Sequence, residues 1–252
     1  VTGAGDRSLR LWRWVAGAGW GEEACAAAAH RYGVTASRWA PSGALLASGG
    51  VDGAVRVWSG RTLGARRALA APAATAVRAL CWAGRRLLAG HDDGALCVWL
   101  VGRGVLAARL HAHEGALHAV ATPARAALLL TACTHGVLKV FDFAEVCRVG
   151  TDGASPVPLT WVDGAHDMGV LCADASEDGR AVATGGHDAL VRVWRAADGG
   201  LTAGEALEGH AAAVTALRWA GGEGGAGGAG GAGSALLVSA SLDRTARLWA
   251  PA

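Results

Sequence analysis

The chain has 252 residues, of which 52% are hydrophobic and 17% charged, and a formal net charge of +2. This length and composition suit one large packed domain or two small ones and exclude a disordered chain. So small a net charge speaks against a polyanion as the main partner, and no apolar run approaches the roughly 18 residues of a membrane helix.

In chain order, one phrase is written again and again. "VTGAGDRSLRLW" ends on Trp12, with Asp6 six residues before the aromatic and the small Thr2 four residues before that. "EEACAAAAH" follows, and its alanines predict a helical turn in a connecting loop. His30 then opens a second pattern, an aliphatic four residues on (Val34) and an aromatic five beyond it (Trp39). "ASGGVDGAVRVW" places Ser48, Asp52 and Trp58 at the offsets of the first phrase. The third unit carries Ala73, Val77 and Trp82, then "LAGHDDGALCVW" with Ala89, Asp93 and Trp99.

In the fourth unit His113 and Leu117 precede "LTACTHGVLKVF", which keeps Thr131 but sets His135 in place of the acid and Phe141 in place of the tryptophan. A Pro-containing stretch, "TDGASPVPLTWVDGA", leads to His166 and Val170. "ATGGHDALVRVW" then supplies Thr184, Asp188 and Trp194. Last come His210, Val214 and Trp219, the tract "GGEGGAGGAGGAG" (221–233), and "VSASLDRTARLW" with Ser239, Asp243 and Trp249. The Gly/Ala tract reads as a flexible insertion between strands.

The closing aromatics stand 46, 41, 42, 53 and 55 residues apart, and removing the 13-residue Gly/Ala tract returns the last interval to 42. A period in the low forties is that of a four-stranded blade. Alternating β-branched residues with Gly and Asp punctuation predict short strands such as "VTALRWA", "ALLVSAS" and "RTARLW". The predicted fold is all-β: a single β-propeller domain over 1–252 with six recognisable four-stranded blades. The first should lack its first strand and the last its outer strand, as in a portion of a seven-bladed ring.

These offsets resemble the tryptophan–aspartate (WD) repeat family of β-propellers over nearly the whole length. The resemblance implies a structural tetrad of His, Ser or Thr, Asp and Trp in each blade. Three sets are complete: His30, Ser48, Asp52, Trp58; His166, Thr184, Asp188, Trp194; and His210, Ser239, Asp243, Trp249. A His–Ser–Asp catalytic triad is the competing reading, but recurrence at equivalent positions signals scaffolding. Arg10, Arg56, Arg192 and Arg247, with Lys139, each precede the aromatic by two residues. Two residues along a strand return to one face, so these cations are expected over or beside the rings.

Chemistry is sparse. No P-loop, H-E-x-x-H or G-x-S-x-G occurs. "HAHEG" (His111 to Gly115) offers an H-x-H, yet His113 already fits the repeat and no cysteine pair accompanies it. The six cysteines form no C-x-x-C and read as buried free thiols in a reducing compartment. No metal, cofactor or small-molecule ligand is expected. The chain opens on Val1 without a signal-peptide pattern, and a cytoplasmic or nuclear location is expected.

Recognition is then expected in the loops that vary between repeats on a fixed frame. The candidates are Arg31, Tyr32, Asp92, Glu114, Asp167, Met168 and His187, taken to lie toward one face beside the tetrad His and Asp. The function expected is a non-enzymatic scaffold or adaptor that binds peptides or loops of other proteins. "AHDMGVLCADAS" (Ala165 to Ser176) is similar to a segment of WD-repeat proteins that also carry SAM and U-box domains, which implies a substrate-recognition module of a ubiquitin ligase as an alternative. A histone-tail or nucleic-acid-associated module and a propeller enzyme are the other classes. Low net charge speaks against nucleic acid, and missing acid clusters against an enzyme.

Overall fold

A computed structural model describes residues 1–71, 75–123, 127–151, 155–176, 179–197, 200–220 and 236–251. The predicted Gly/Ala insertion and Ala73 lie outside these described residues. The chain forms two compact units, the first comprising Val1–Leu117 with Cys147–Ser155 and the second His118–Val146 with Pro156–Ala252.

The first unit holds three antiparallel sheets. Sheet 1 has three strands, β1 (Thr2–Gly3), β2 (Leu9–Val15) and β3 (Gly19–Ala26). Sheet 2 has four: β4 (Val34–Trp39), β5 (Leu45–Gly50), β6 (Val55–Ser59) and β7 (Ala65–Leu69). Sheet 3 is β8 (Val77–Ala83), β9 (Arg86–His91), β10 (Ala95–Leu100) and β11 (Val105–His111). Sheet 4 comprises β12 (Leu117–Ala121), β13 (Leu128–Cys133), β14 (Leu138–Asp142) and β15 (Thr160–Val162), with helix α1 (Phe143–Arg148) between its last two strands; these elements belong to the second unit except for Leu117 and the last two residues of α1. Sheet 5 is β16 (Val170–Ala175), β17 (Ala181–Gly186), β18 (Val191–Ala197) and β19 (Gly200–Leu207). Sheet 6 stops at three strands, β20 (Val214–Ala220), β21 (Leu236–Ser241) and β22 (Ala246–Trp249). The all-β class, the six repeated sheets and the short first and last sheets agree with the phrase spacing.

Two local expectations fail. The alanines before His30 do not form a helical turn: Glu22 to Ala26 extend β3, paired with β2 from Trp12↔Glu22 to Leu9↔Ala26. Ladder hydrogen bonds outweigh alanine's helix propensity, which is only a weak prior. Conversely, α1 follows directly from β14. The Asp142 carboxylate accepts the backbone N–H of Ala144 at 2.7 Å and caps the helix.

Irregular register recurs where it orients the core. In sheets 2, 3, 5 and 6 the first strand has a bulge just after its first residue, at Val34, Val77, Val170 and Val214. A second bulge falls at the tryptophan in sheets 1, 2, 3 and 5. Bulges re-aim side chains; the extra residue lies on the first strand after the valine and on the outer strand beside the tryptophan.

Three of these four valines meet a glycine of the preceding sheet. A side chain at Gly3 would meet Val34, one at Gly49 would run into Val77, and one at Gly185 would come within 2.6 Å of Val214. Gly90 faces Leu117 in the same way. The glycine, three residues before the turn acid, lets backbone and side chain pack at full density. Around these contacts lie buried clusters: Leu9, Leu46 and Trp58 between sheets 1 and 2; Val57, Leu80, Leu87 and Trp99 between sheets 2 and 3. In the second unit Ala132, Leu138 and Trp194 pack between sheets 4 and 5, and Val191, Leu217 and Leu237 between sheets 5 and 6.

Gly185→Ala is therefore expected to destabilise by about 1–3 kcal/mol through overpacking. Adding Val214→Ala should recover part of that loss, read as non-additivity in urea midpoints; additive losses would contradict the contact.

Candidate functional site

A buried tryptophan must satisfy its indole N–H, and in sheet 2 it does so through a chain of four side chains. Trp58 Nε1 donates to Ser48 Oγ at 2.8 Å. Ser48 Oγ lies 2.7 Å from His30 Nε2, and His30 Nδ1 lies 3.0 Å from Asp52 Oδ1. The hydroxyl accepts from the indole, so its own proton goes to His Nε2, and the neutral imidazole donates from Nδ1 to the carboxylate. Asp52 also accepts the backbone N–H of Arg31 at 2.8 Å and of Ala54 at 3.2 Å, which fixes the turn and the loop before β4.

Sheet 5 repeats the arrangement. Trp194 Nε1 donates to Thr184 Oγ1 at 2.9 Å, and His166 bridges Thr184 and Asp188 at 2.8 Å on each side. In sheet 6 Trp249 reaches Ser239 at 2.8 Å, and His210 joins Ser239 at 2.7 Å to Asp243 at 2.9 Å. Sheet 1 retains one link, from Trp12 Nε1 to Thr2 Oγ1 at 2.9 Å.

The electrostatics follow from burial. Loss of water pushes the imidazoles of His30 and His166 below their ordinary 6.5, against the pull of their carboxylates. Burial alone would raise Asp52 and Asp188. Their bonds from backbone N–H groups and from the histidines outweigh it and hold both below the ordinary 3.8. Asp243 is also lowered, first by the Thr245 hydroxyl. Neutral His beside ionised Asp is the state that the bonding pattern requires.

Sheet 3 departs from the pattern. Ala89 stands where the hydroxyl would be, and Trp99 Nε1 is buried with no partner among the described residues. His91, next to the turn, is buried; its Nδ1 lies 3.1 Å from the Thr75 carbonyl, while Nε2 has no partner. In sheet 4 His113 is buried, whereas His135 is exposed in the turn. His111 and His113 do not converge: the His111 side chain is 52% exposed, 3.8 Å from Glu114.

Of the strand cations expected over or beside the indoles, none is placed over a ring among the described residues. Arg10 pairs with Glu22 at 3.3 Å and Asp6 at 3.7 Å, Arg56 donates to the Ala29 carbonyl, and Arg192 lies 3.8 Å from Asp188. The extra residue of each bulge beside the tryptophan lies on the outer strand, and the tryptophan's own strand pairs in unbroken register with its inner neighbour. Cation and ring therefore share a face, and it is the acids and the carbonyl that draw the guanidinium aside. In sheet 6, which has three strands among the described residues, Arg247 and Trp249 both lie against Gly209. Among the described residues the cation placed over a ring is Arg31, 5.6 Å from the Tyr32 centroid.

The remaining candidates fall on loops beside the buried chains. Arg31 and Tyr32 directly follow His30, and Tyr32 is 52% exposed. Asp92 is held by Arg78 through two bonds of 2.7 and 2.9 Å. Glu114 is exposed in the loop before β12. In the second unit the Asp167 N–H reaches Asp188 at 3.4 Å, Met168 is 70% exposed, and His187 is exposed in the β17–β18 turn. All six cysteines are free thiols, but they are not uniformly buried: Cys25 is exposed on the outer strand β3, while burial pushes the Cys97 thiol up to about 11.

The family model described as "WD domain, G-beta repeat" matches residues 24–59, 159–195 and 203–250. These spans contain the three complete side-chain chains. No curated protein matches the sequence.

Ser48→Ala would orphan both His30 Nε2 and Trp58 Nε1, and a loss of about 1–3 kcal/mol for each is expected in chemical denaturation. Stability should also fall as pH drops below about 6.5. The unfolded chain then takes up protons that His30, His91 and His166, all lowered by burial, refuse in the folded state. A second decline should follow below about 3.8, as the unfolded Asp52 and Asp188 protonate first. Urea midpoints measured from pH 8 downward check the sign; a flat profile would contradict it.

Proposed function

Because the chain belongs to the WD-repeat family of β-propellers, we propose that it is a non-enzymatic protein-interaction scaffold that takes peptides or loops of partner proteins on the turns beside the buried chains. One observation carries this reading. The turn carboxylate of each complete chain also bonds the backbone N–H of the residue after the histidine: Asp52 to Arg31 at 2.8 Å, Asp188 to Asp167 at 3.4 Å and Asp243 to Ala211 at 3.0 Å. The next residues, Tyr32 and Met168, are large, apolar and more than half exposed. A rigid loop that presents an aromatic or methionine side chain loses little entropy on binding, which is the property of an interaction anchor.

In the first unit Arg31, Tyr32, Asp92 and Glu114 supply the contacts; in the second, Asp167, Met168 and His187 do. The non-enzymatic reading rests on access. The His30 and His166 side chains are 0% exposed and both nitrogens are engaged, so neither can meet a substrate proton. A cytoplasmic or nuclear location belongs to the same proposal, since it suits six free thiols.

Comparative affinity capture with wild type, Tyr32→Ala/Met168→Ala and the exposed control Val105→Ala tests the contacts. The double variant should lose partners that the control keeps, with an unchanged thermal midpoint. An identical partner set in all three would overturn the assignment.

A further inference from the structure

The first unit carries a groove at the other end of its sheets, away from the turns just discussed. It encloses about 930 Å³ between the β4–β5 and β10–β11 turns. Leu45, Val57, Trp82 and Val101 form its apolar lining. The indole is held in place: Trp82 Nε1 donates to the Arg38 carbonyl at 3.1 Å. Arg66, Arg67 and Arg85 line the same groove. Arg67 donates to the carbonyls of Gly102 and Arg103 at 3.4 Å each, tying β7 to the β10–β11 turn. Gly104, at φ 70°, is required there, because a side chain would run into that guanidinium.

The charge around the groove is one-sided. From Gly53 to His91 the sequence has seven arginines and neither Asp nor Glu, and Gly94 to His113 is also free of acids. The first unit as a whole has fifteen arginines against eight acids, whereas the second has eight cations against thirteen acids. The near-neutral total hides this separation. The first unit's acids that pair with arginine engage Arg10, Arg13, Arg78 and Arg109. Among the described residues no carboxylate reaches Arg66 or Arg85, and both are exposed. Arg61 and Arg103, also exposed, stand on the neighbouring β6–β7 and β10–β11 turns.

We propose that this groove binds an acidic segment of a partner protein, one that seats a large apolar side chain against Trp82 and Val101 and sets flanking carboxylates on Arg66 and Arg85. Charge complementarity and an apolar lining select this class. Guanidinium forks match carboxylates, and a recess of this volume takes one or two large side chains. A nucleic-acid strand would need open aromatic faces for stacking and a continuous basic track. Trp82 is half-buried and the recess is closed on one side by the Arg67 tie. The proposal does not rest on the loop contacts described above, which lie at the opposite strand ends.

Fluorescence anisotropy on the full chain tests it with a labelled peptide that has a Leu-Trp pair flanked on each side by two acids. Wild type and Tyr32→Ala should bind alike and saturably. Arg66→Glu/Arg85→Glu should weaken binding by at least about tenfold, and so should replacing the Leu-Trp pair by two serines. Both arginines are exposed, so the variant's thermal melt should match wild type and exclude misfolding. Equal binding by the charge-reversed variant, no saturable binding by wild type, or displacement of the peptide by a tighter-binding single-stranded RNA would each overturn the proposal. Loss in Tyr32→Ala alone would move the peptide to the other end of the sheets and overturn it too.

Discussion

A hydroxyl that accepts one hydrogen bond from an indole has a single proton left to place. In sheets 2, 5 and 6 that proton goes to a buried, neutral histidine, which passes the requirement on to a carboxylate at the turn. Every polar side-chain atom on the way has a partner. The carboxylate keeps accepting capacity, and it spends this on backbone N–H groups of the turn and of the loop before the first strand. One side-chain sequence thus fixes the distance between two sheet edges and the shape of two loops. What those loops can present to a partner follows from that constraint.

The chain also shows what happens when a link is missing. Ala89 leaves Trp99 Nε1 without an acceptor, and His91 occupies a different position with one nitrogen unused. Sheet 3 is held instead by apolar contact: Leu87, Leu88, Leu96 and Val98 are fully buried. Burial of this kind replaces directional bonding in energy but not in geometry. The Arg78–Asp92 pair and the Arg109–Asp93 pair, both partly exposed, pin the turn of this sheet from outside.

Much of the architecture was legible because its residues recur at fixed offsets. The Asp six before the aromatic, the hydroxyl four before that and the distant histidine each read as a position in a repeated object. Strand boundaries in the last unit followed from alternation alone. What escaped the reading is local and non-periodic. The two-residue rule puts cation and ring on one face, but partners on other elements, Glu22 for Arg10 and the Ala29 carbonyl for Arg56, draw the guanidinium away from the indole, and no sequence period shows that competition. Alanine content suggested a helix where β2 offered an edge to pair with, and the true helix was announced only by Asp142 as cap and Glu145 three residues on. The groove beside Trp82 was invisible because its arginines come from two separate elements, strand β7 and the β8–β9 turn, and the net charge conceals them.

The glycine that stands three residues before Asp6, Asp52 and Asp188 has a broader meaning. Where Gly3 admits Val34, Gly49 admits Val77 and Gly185 admits Val214, a sheet is seated against its neighbour within the same unit. Cohesion is then a string of nearest-neighbour couplings, as in a one-dimensional lattice. Within each unit, loosening one coupling disturbs first the sheets on either side of it, so fraying advances stepwise from a breached junction.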